Sequence, residues 1–441
     1  MPILYTLENS FSCSLHFTIL YSIELEQNNK KQKIFLIIST AIFAGLIILI
    51  FAIGYVSYKR ENSREKNLIG NYGEILPTIK QSQKLERPIE IPEFNQETVL
   101  ENLQRPWDII FFEDNSFIFT ERNNKINYYD GSTLHQVGTG RDLSLLSDTY
   151  VNGEGGMLGL ALDPKFDENN YIYACFNSTI SGNVDVRVAR FEFDKENPTL
   201  SNREDIITGL PSITSGRHSG CQLEFGPDGY LWVSTGDAAT GTNPQSPTIL
   251  GGKILRIDRN GNSAPGNLEE PFDPRIFSYG HRNPQGLGFF TPNIGFPVPG
   301  INIEHGPGMD DEVNALVKGN FGWNPVPNPY NEGVPMTDIN EFPDAIESIW
   351  SSGTPTDATS GGTIIHGSEW KAWEEAIIVA GQRSEKIIVI EVDFNLNITR
   401  ETEIFKNELG RIRTIQQDLA GNLYILTDNG QNDSIIKLSP K

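Results

Sequence analysis

The chain has 441 residues with 57 acidic against 35 basic side chains, a net charge of −22, and no basic stripe, which excludes a nucleic-acid-binding role. Gly and Pro number 41 and 26 while charged residues make up only 21%, the balance of a turn-rich globular protein rather than a disordered or rod-like one. Three cysteines (Cys13, Cys175 and Cys221) are too few for a disulfide framework and contain no CxxC pair, so stability is expected to come from packing.

In chain order, the first strong signal is the run 34–58, which carries no charge and is apolar on every face. It is long enough to span a hydrocarbon layer of about 30 Å as one helix. This predicts a cytoplasmic segment at 1–33, an uncleaved single-pass anchor at 34–58, and a polar tether at 59–94 broken by Pro77, Pro88 and Pro92. One domain, 95–441, follows on the extracytoplasmic side of the cell membrane. The first 66 residues hold 7 basic and 5 acidic groups, so the acidic surplus belongs to the remainder.

From about Gln96 a grammar repeats: an apolar strand, a turn rich in Asp, Pro, Gly and Asn, then a strand of aromatic and β-branched residues. WDIIFFEDNSFIFTE (107–121), MLGLALDPKFDENNYIYACF (157–176) and CQLEFGPDGYLWVSTGD (221–237) are instances. Further copies lie at 286–307, 362–381 and 412–429. Alternation and turn chemistry both predict β-hairpins. Six irregular copies predict an all-β fold, a six-bladed β-propeller, preceded by the one transmembrane helix. A segment such as Thr98–Leu103 would close the ring by joining the last blade.

In a propeller the first strand of each blade lines the axis, so the starts of these strands converge on one mouth. They carry Arg105, Glu154, His218, Arg282-Asn283-Pro284-Gln285, Thr359 and Arg411-Ile412-Arg413. Returning strands bring Asp237, Glu304-His305-Gly306-Pro307 and Asp428 to the same end. His218 and Asp237 stand equally far from the Gly226–Gly229 turn, which places a carboxylate beside an imidazole. With Arg282, Arg411 and Arg413 nearby, this predicts an anionic-ligand site equipped with a general base. Cys221, three residues from His218, is expected to be a buried strand residue rather than a nucleophile. The Asp310-Asp311-Glu312 run is expected to be a solvated acidic loop.

The motifs GEGGMLGLALDP (153–164), HSGCQLEFGPDGYLWVSTGD (218–237), GHRNPQGLGF (280–289), EHGPGMDDEVN (304–314), NFGWNP (320–325) and RIRTI (411–415) together carry a likeness. From Thr98 to Leu438 the chain resembles the soluble quinoprotein aldose sugar dehydrogenases, the glucose/sorbosone dehydrogenase family, which uses pyrroloquinoline quinone (PQQ). The resemblance implies oxidation of the anomeric carbon of an aldose sugar to a lactone, with the quinone lying across the mouth. His218 would take the proton of the anomeric hydroxyl while hydride passes to a quinone carbonyl, and Asp237 would orient His218. Arg282 and Asn283 would face the reactive carbonyl. Arg411 and Arg413 would hold the cofactor carboxylates.

The same resemblance places Gln285 and His305 in the cofactor set, with Arg383 where the family uses a Lys. Glu154 would face the sugar, and the backbone carbonyls of Gly306 and Pro307 would bind Ca²⁺. The chain departs from the family pattern at Arg217, where the best-known branch has an acidic sugar contact, and at Cys221 and Gln222. The electron acceptor beyond the quinone is left open. The alternative is a propeller that binds a sugar or a protein at the same mouth without turnover, since scaffold alone does not decide function.

Overall fold

The computed structural model describes residues 90–138, 145–326 and 330–441, all within a compact unit running from Tyr72 to Lys441. The anchor expected at 34–58 and most of the tether lie outside the described residues. Among the described residues no helix is long and apolar enough to cross a membrane. The strands form six sheets, five of four strands and one of five, arranged as the blades of a propeller. The inner strands of blades one to six are Pro106–Phe111, Met157–Leu162, Leu223–Phe225, Pro284–Phe289, Thr359–Ile364 and Ile412–Gln417, and each contacts the next around a closed ring.

The local chemistry of the hairpins is visible in blade three. Pro227 sets φ inside the Gly226–Gly229 turn, Gly229 takes φ +77°, and the Gly229 N–H donates to Gly226 O at 2.9 Å. Alternating apolar residues then bury both faces of each central strand between neighbouring blades. Every inter-blade interface has its own apolar cluster, from Phe119, Phe111 and Leu426 between blades six and one to Ile301, Ile303 and Ile388 between four and five. The interface between blades three and four is the poorest, with Trp232, Ile254, Leu287 and Leu316 at its centre. The ring closes where Phe94–Leu103 pairs antiparallel with Asp433–Pro440, so the first described strand completes the last blade. Radial closure of this kind leaves no long exposed edge.

Two features depart from the sequence expectation. First, Cys175 and Cys221 form a disulfide with Cα atoms 6.3 Å apart, so packing is not the sole source of stability. Cys175 lies on Tyr171–Ser178 of blade two and Cys221 just ahead of the inner strand of blade three, and the proximity arises only when the blades stack. Closing a loop across 46 residues is expected to stabilise the fold by about 2–4 kcal/mol. Urea unfolding with and without reductant, and of Cys175→Ser, checks this; an unchanged midpoint would remove the bond from the list of stabilising features.

Second, the chain between Ala315 and Trp350 leaves blade four before that blade's outer strand is complete. It adds Gly319–Asn320 as a parallel fifth strand to blade three, against Ile276–Tyr279. The same excursion carries Trp323, Tyr330 and Glu332 over the mouth.

Candidate active site

The inner strands start at one end of the ring, and the residues expected to converge do so there. His218 sits in the loop before the blade-three inner strand with φ +52°, a left-handed conformation that non-glycine residues rarely adopt. Close backbone approach holds it. The Ala238 N–H donates to His218 O at 3.2 Å, and a Cβ on Gly236 would fall 1.9 Å from that oxygen, so only glycine fits the TGD corner.

His218 Nδ1 lies 2.8 Å from Asp237 Oδ1, and both side chains are buried. The pair is therefore formed as counted from the turn, although both residues lie beyond the ends of their strands. Asp237 Oδ2 accepts the Trp323 indole N–H at 2.8 Å and the Tyr330 hydroxyl at 2.6 Å, while Oδ1 also accepts the Ala239 N–H at 2.7 Å. Burial alone would raise the Asp237 carboxyl, but His218, the Tyr330 hydrogen bond and the Arg282 charge hold it below the ordinary range. Burial and the Asp237 charge push the Tyr330 phenol up, so it remains a protonated donor. An ionised Asp237 is acceptor-only, so His218 must donate from Nδ1, which leaves Nε2 as a lone-pair base.

Around this dyad the Glu154 carboxylate receives the His218 backbone N–H at 3.2 Å and Asn283 Nδ2 at 3.1 Å. Asn283 Oδ1 in turn accepts the Gly220 N–H at 3.1 Å. Arg282 is buried and spends Nη1 on His305 O at 2.7 Å and Nη2 on Glu332 Oε1 at 2.7 Å. The same Glu332 oxygen accepts Arg217 Nη2. Partial burial would raise Glu332, but Arg282 and Arg217 hold it below the usual carboxylate range.

Arg413 lies buried with its guanidinium 3.3 Å from the centroid of the Trp107 ring, donating Nη2 to Gln285 Oε1 at 2.8 Å. Burial draws its pKa down to about 10. Arg411 is exposed and donates to Gln382 Oε1 at 2.9 Å, so the two arginines are not equivalent. His305 directs Nδ1 at Thr359 O across 2.9 Å, and burial together with Arg282 lowers its pKa. Arg383 is exposed, and its backbone N–H donates to Asp357 O at 3.0 Å.

The Asp310-Asp311-Glu312 run is not the solvated loop expected. Asp311 is fully buried and accepts the Gly306 N–H at 2.9 Å, Thr356 Oγ1 at 2.6 Å and the Ala358 N–H at 2.9 Å. It braces the Gly306-Pro307 corner from behind. Glu312 is buried opposite Glu304, and burial plus that second carboxylate raise it to about 8. Glu304 accepts the backbone N–H of Arg282 and lies 2.9 Å from His281 Nδ1, which fixes the strand end that presents Arg282. No group of three or more His, Cys, Asp or Glu side chains among the described residues is placed to hold a metal.

Thus His218, Asp237, Arg282, Asn283, Gln285, His305, Arg413 and Glu154 gather at one mouth, with Arg411 at its rim. Trp323, Tyr330 and Glu332 complete it without having been expected. The NFGWNP motif contained Trp323, but nothing in its spacing announced a contact with Asp237. A cavity of about 570 Å³ opens at the opposite ends of the inner strands, lined by Glu224, Phe289 and His366, and touches none of these groups.

The family model for glucose/sorbosone dehydrogenases matches residues 103–437. An uncharacterized protein of Synechocystis is 30% identical over 369 residues, which is 77% of this chain and 86% of that protein. The aldose sugar dehydrogenase YliI of Escherichia coli is 25% identical over 79% of this chain and 93% of its own length. The PQQ-bound form of an aldose sugar dehydrogenase from Streptomyces coelicolor superposes with a TM-score of 0.65 at 26% identity, covering 81% of this chain and all of that one.

Proposed function

The chain belongs to the glucose/sorbosone dehydrogenase family, and on that premise we propose that it oxidises the anomeric carbon of an aldose sugar to the lactone with PQQ as acceptor. The observation that carries this reading is the buried His218–Asp237 dyad at the same mouth as two buried arginines that each keep one unspent donor. Among the described residues, Arg282 Nε and Arg413 Nε are both buried without a hydrogen-bond partner. Buried N–H donors left unpaired in this way are costly unless an acceptor-rich ligand meets them. A tricarboxylate quinone has the required charge and planarity, so the residues present fit it.

Arg413 and Arg411 would hold carboxylates of the cofactor, with Arg413 presented rigidly by Trp107 and Gln285. Arg282, Asn283 and His305 would surround its polar edge. When bound, the quinone supplies a two-electron acceptor that no side chain here provides. His218 Nε2 takes the proton of the sugar's anomeric hydroxyl, and Asp237 steadies the resulting imidazolium while keeping the imidazole in the tautomer that leaves Nε2 free. Tyr330 and Trp323 hold Asp237 ionised and in place. Glu154, bound to both His218 and Asn283, lies beside the base on the sugar-facing side.

Ca²⁺ would sit at the backbone oxygens of Gly306 and Pro307, the hard-oxygen donors that ion prefers, on a corner that Asp311 already braces. The apolar run 34–58 would tether the propeller outside the cytoplasmic membrane, and the Cys175–Cys221 bond suits such an oxidising compartment. Full-length protein reconstituted with PQQ and Ca²⁺ is expected to reduce an artificial dye when given aldoses and to show the absorption of bound quinone. Failure to reduce dye with any aldose, together with poor quinone binding, would sink the reading.

A further inference from the structure

Among the residues that meet at the mouth, Arg217 and Glu332 have no part in the chemistry described above. Each is only partly buried, with side-chain exposures of 42% and 38%, and they form an ion pair with each other. Glu332 spends one oxygen, Oε1, on both Arg217 and Arg282, and its second oxygen has no hydrogen-bond partner among the described residues. Arg217 immediately precedes the base, and its guanidinium lies 5.5 Å from the centroid of Tyr330, whose ring is 5.9 Å from that of His218. The pair therefore stands at the rim beside the imidazole, where a substrate must pass or rest.

Resting on the aldose dehydrogenase reading, we propose that Arg217 and Glu332 form a charge filter that admits neutral aldoses and rejects sugars bearing a carboxylate. The half-exposed Glu332 offers a free acceptor oxygen to sugar hydroxyls. The same negative charge repels a uronate, which would otherwise be drawn to Arg217 and Arg282. Glu332 cancels one of the two guanidinium charges, and the Glu154 carboxylate beside His218 offsets the other; without Glu332 the cations outnumber the remaining carboxylate and become an anion site. The filter is thus specificity by repulsion, built from one carboxylate between two cations.

The test compares D-glucose with D-glucuronate on the full-length protein loaded with PQQ and Ca²⁺. The readouts are kcat/KM by dye reduction and sugar dissociation constants by calorimetry. Glu332→Gln is expected to raise the glucuronate-to-glucose ratio of kcat/KM by about tenfold or more, the effect of one unit charge near a partly screened site. Arg217→Gln is expected to move the ratio the other way, which keeps the test decisive should Glu332→Gln fold poorly. Ratios unchanged in both variants, with wild type active on glucose, would overturn the filter alone. A wild type inactive on every aldose would overturn the aldose reading and the filter with it.

Discussion

Replacement of His218 by Asn is expected to lower kcat for aldose oxidation by about 10²–10⁴, the range a positioned general base contributes. The substitution is chosen because an amide N–H retains a donor toward Asp237 Oδ1, which His218 Nδ1 now meets at 2.8 Å, while the base on Nε2 is lost. Folding of the mouth should survive, since the His218 backbone contacts with Glu154 and Ala238 do not involve the ring. Steady-state dye reduction gives kcat, and absorption titration of PQQ gives cofactor affinity. Turnover lost with quinone binding kept is the expected pattern. A kcat within about threefold of wild type would place the base elsewhere.

Arg413→Met is expected to weaken PQQ binding by about 2–5 kcal/mol, the penalty for removing one partner of a buried charge pair. Without the cofactor, Arg413 is an expensive residue. It is buried, its Nε lacks a partner among the described residues, and burial has already lowered its pKa to about 10. Met fills similar volume over the Trp107 ring, so the unloaded protein should be as stable as wild type or more so. Opposite signs on cofactor affinity and on unloaded stability are the signature of a group kept for its ligand. Absorption titration and thermal unfolding measure the two effects, and unchanged quinone affinity would exclude Arg413 from the cofactor site. Arg411→Gln should cost less, because Arg411 is solvent-exposed and its charge is screened.

Much of this molecule is legible along the chain. Hairpin turns such as Gly226–Gly229 and the alternation of the flanking strands are local chemistry, so six blades can be counted before any packing is known. Ring closure by residues near Thr98–Leu103 follows from the need to complete the last blade, and Phe94–Leu103 supplies it. The His218–Asp237 pair could be counted because one tight turn relates the two residues. Local matching picked out Arg383, which is exposed and follows Gln382, the partner of Arg411 and Asp428. The disulfide was illegible for a different reason: Cys175 and Cys221 belong to adjacent blades, and no turn or period connects them.

Composition, turn residues and strand period by themselves determined an acidic propeller with a His–Asp pair and a collar of arginines at one mouth. These properties depend on contacts within a few residues or on a repeat. Only the tertiary structure decided which arginine is buried and which is exposed. It also decided that Asp311 braces a corner instead of facing water, and that Trp323, Tyr330 and Glu332 cross from blade four to cover the dyad. Those outcomes depend on where an aperiodic excursion lands and on which charges must find partners once water is excluded. Neither is written in any single stretch of chain.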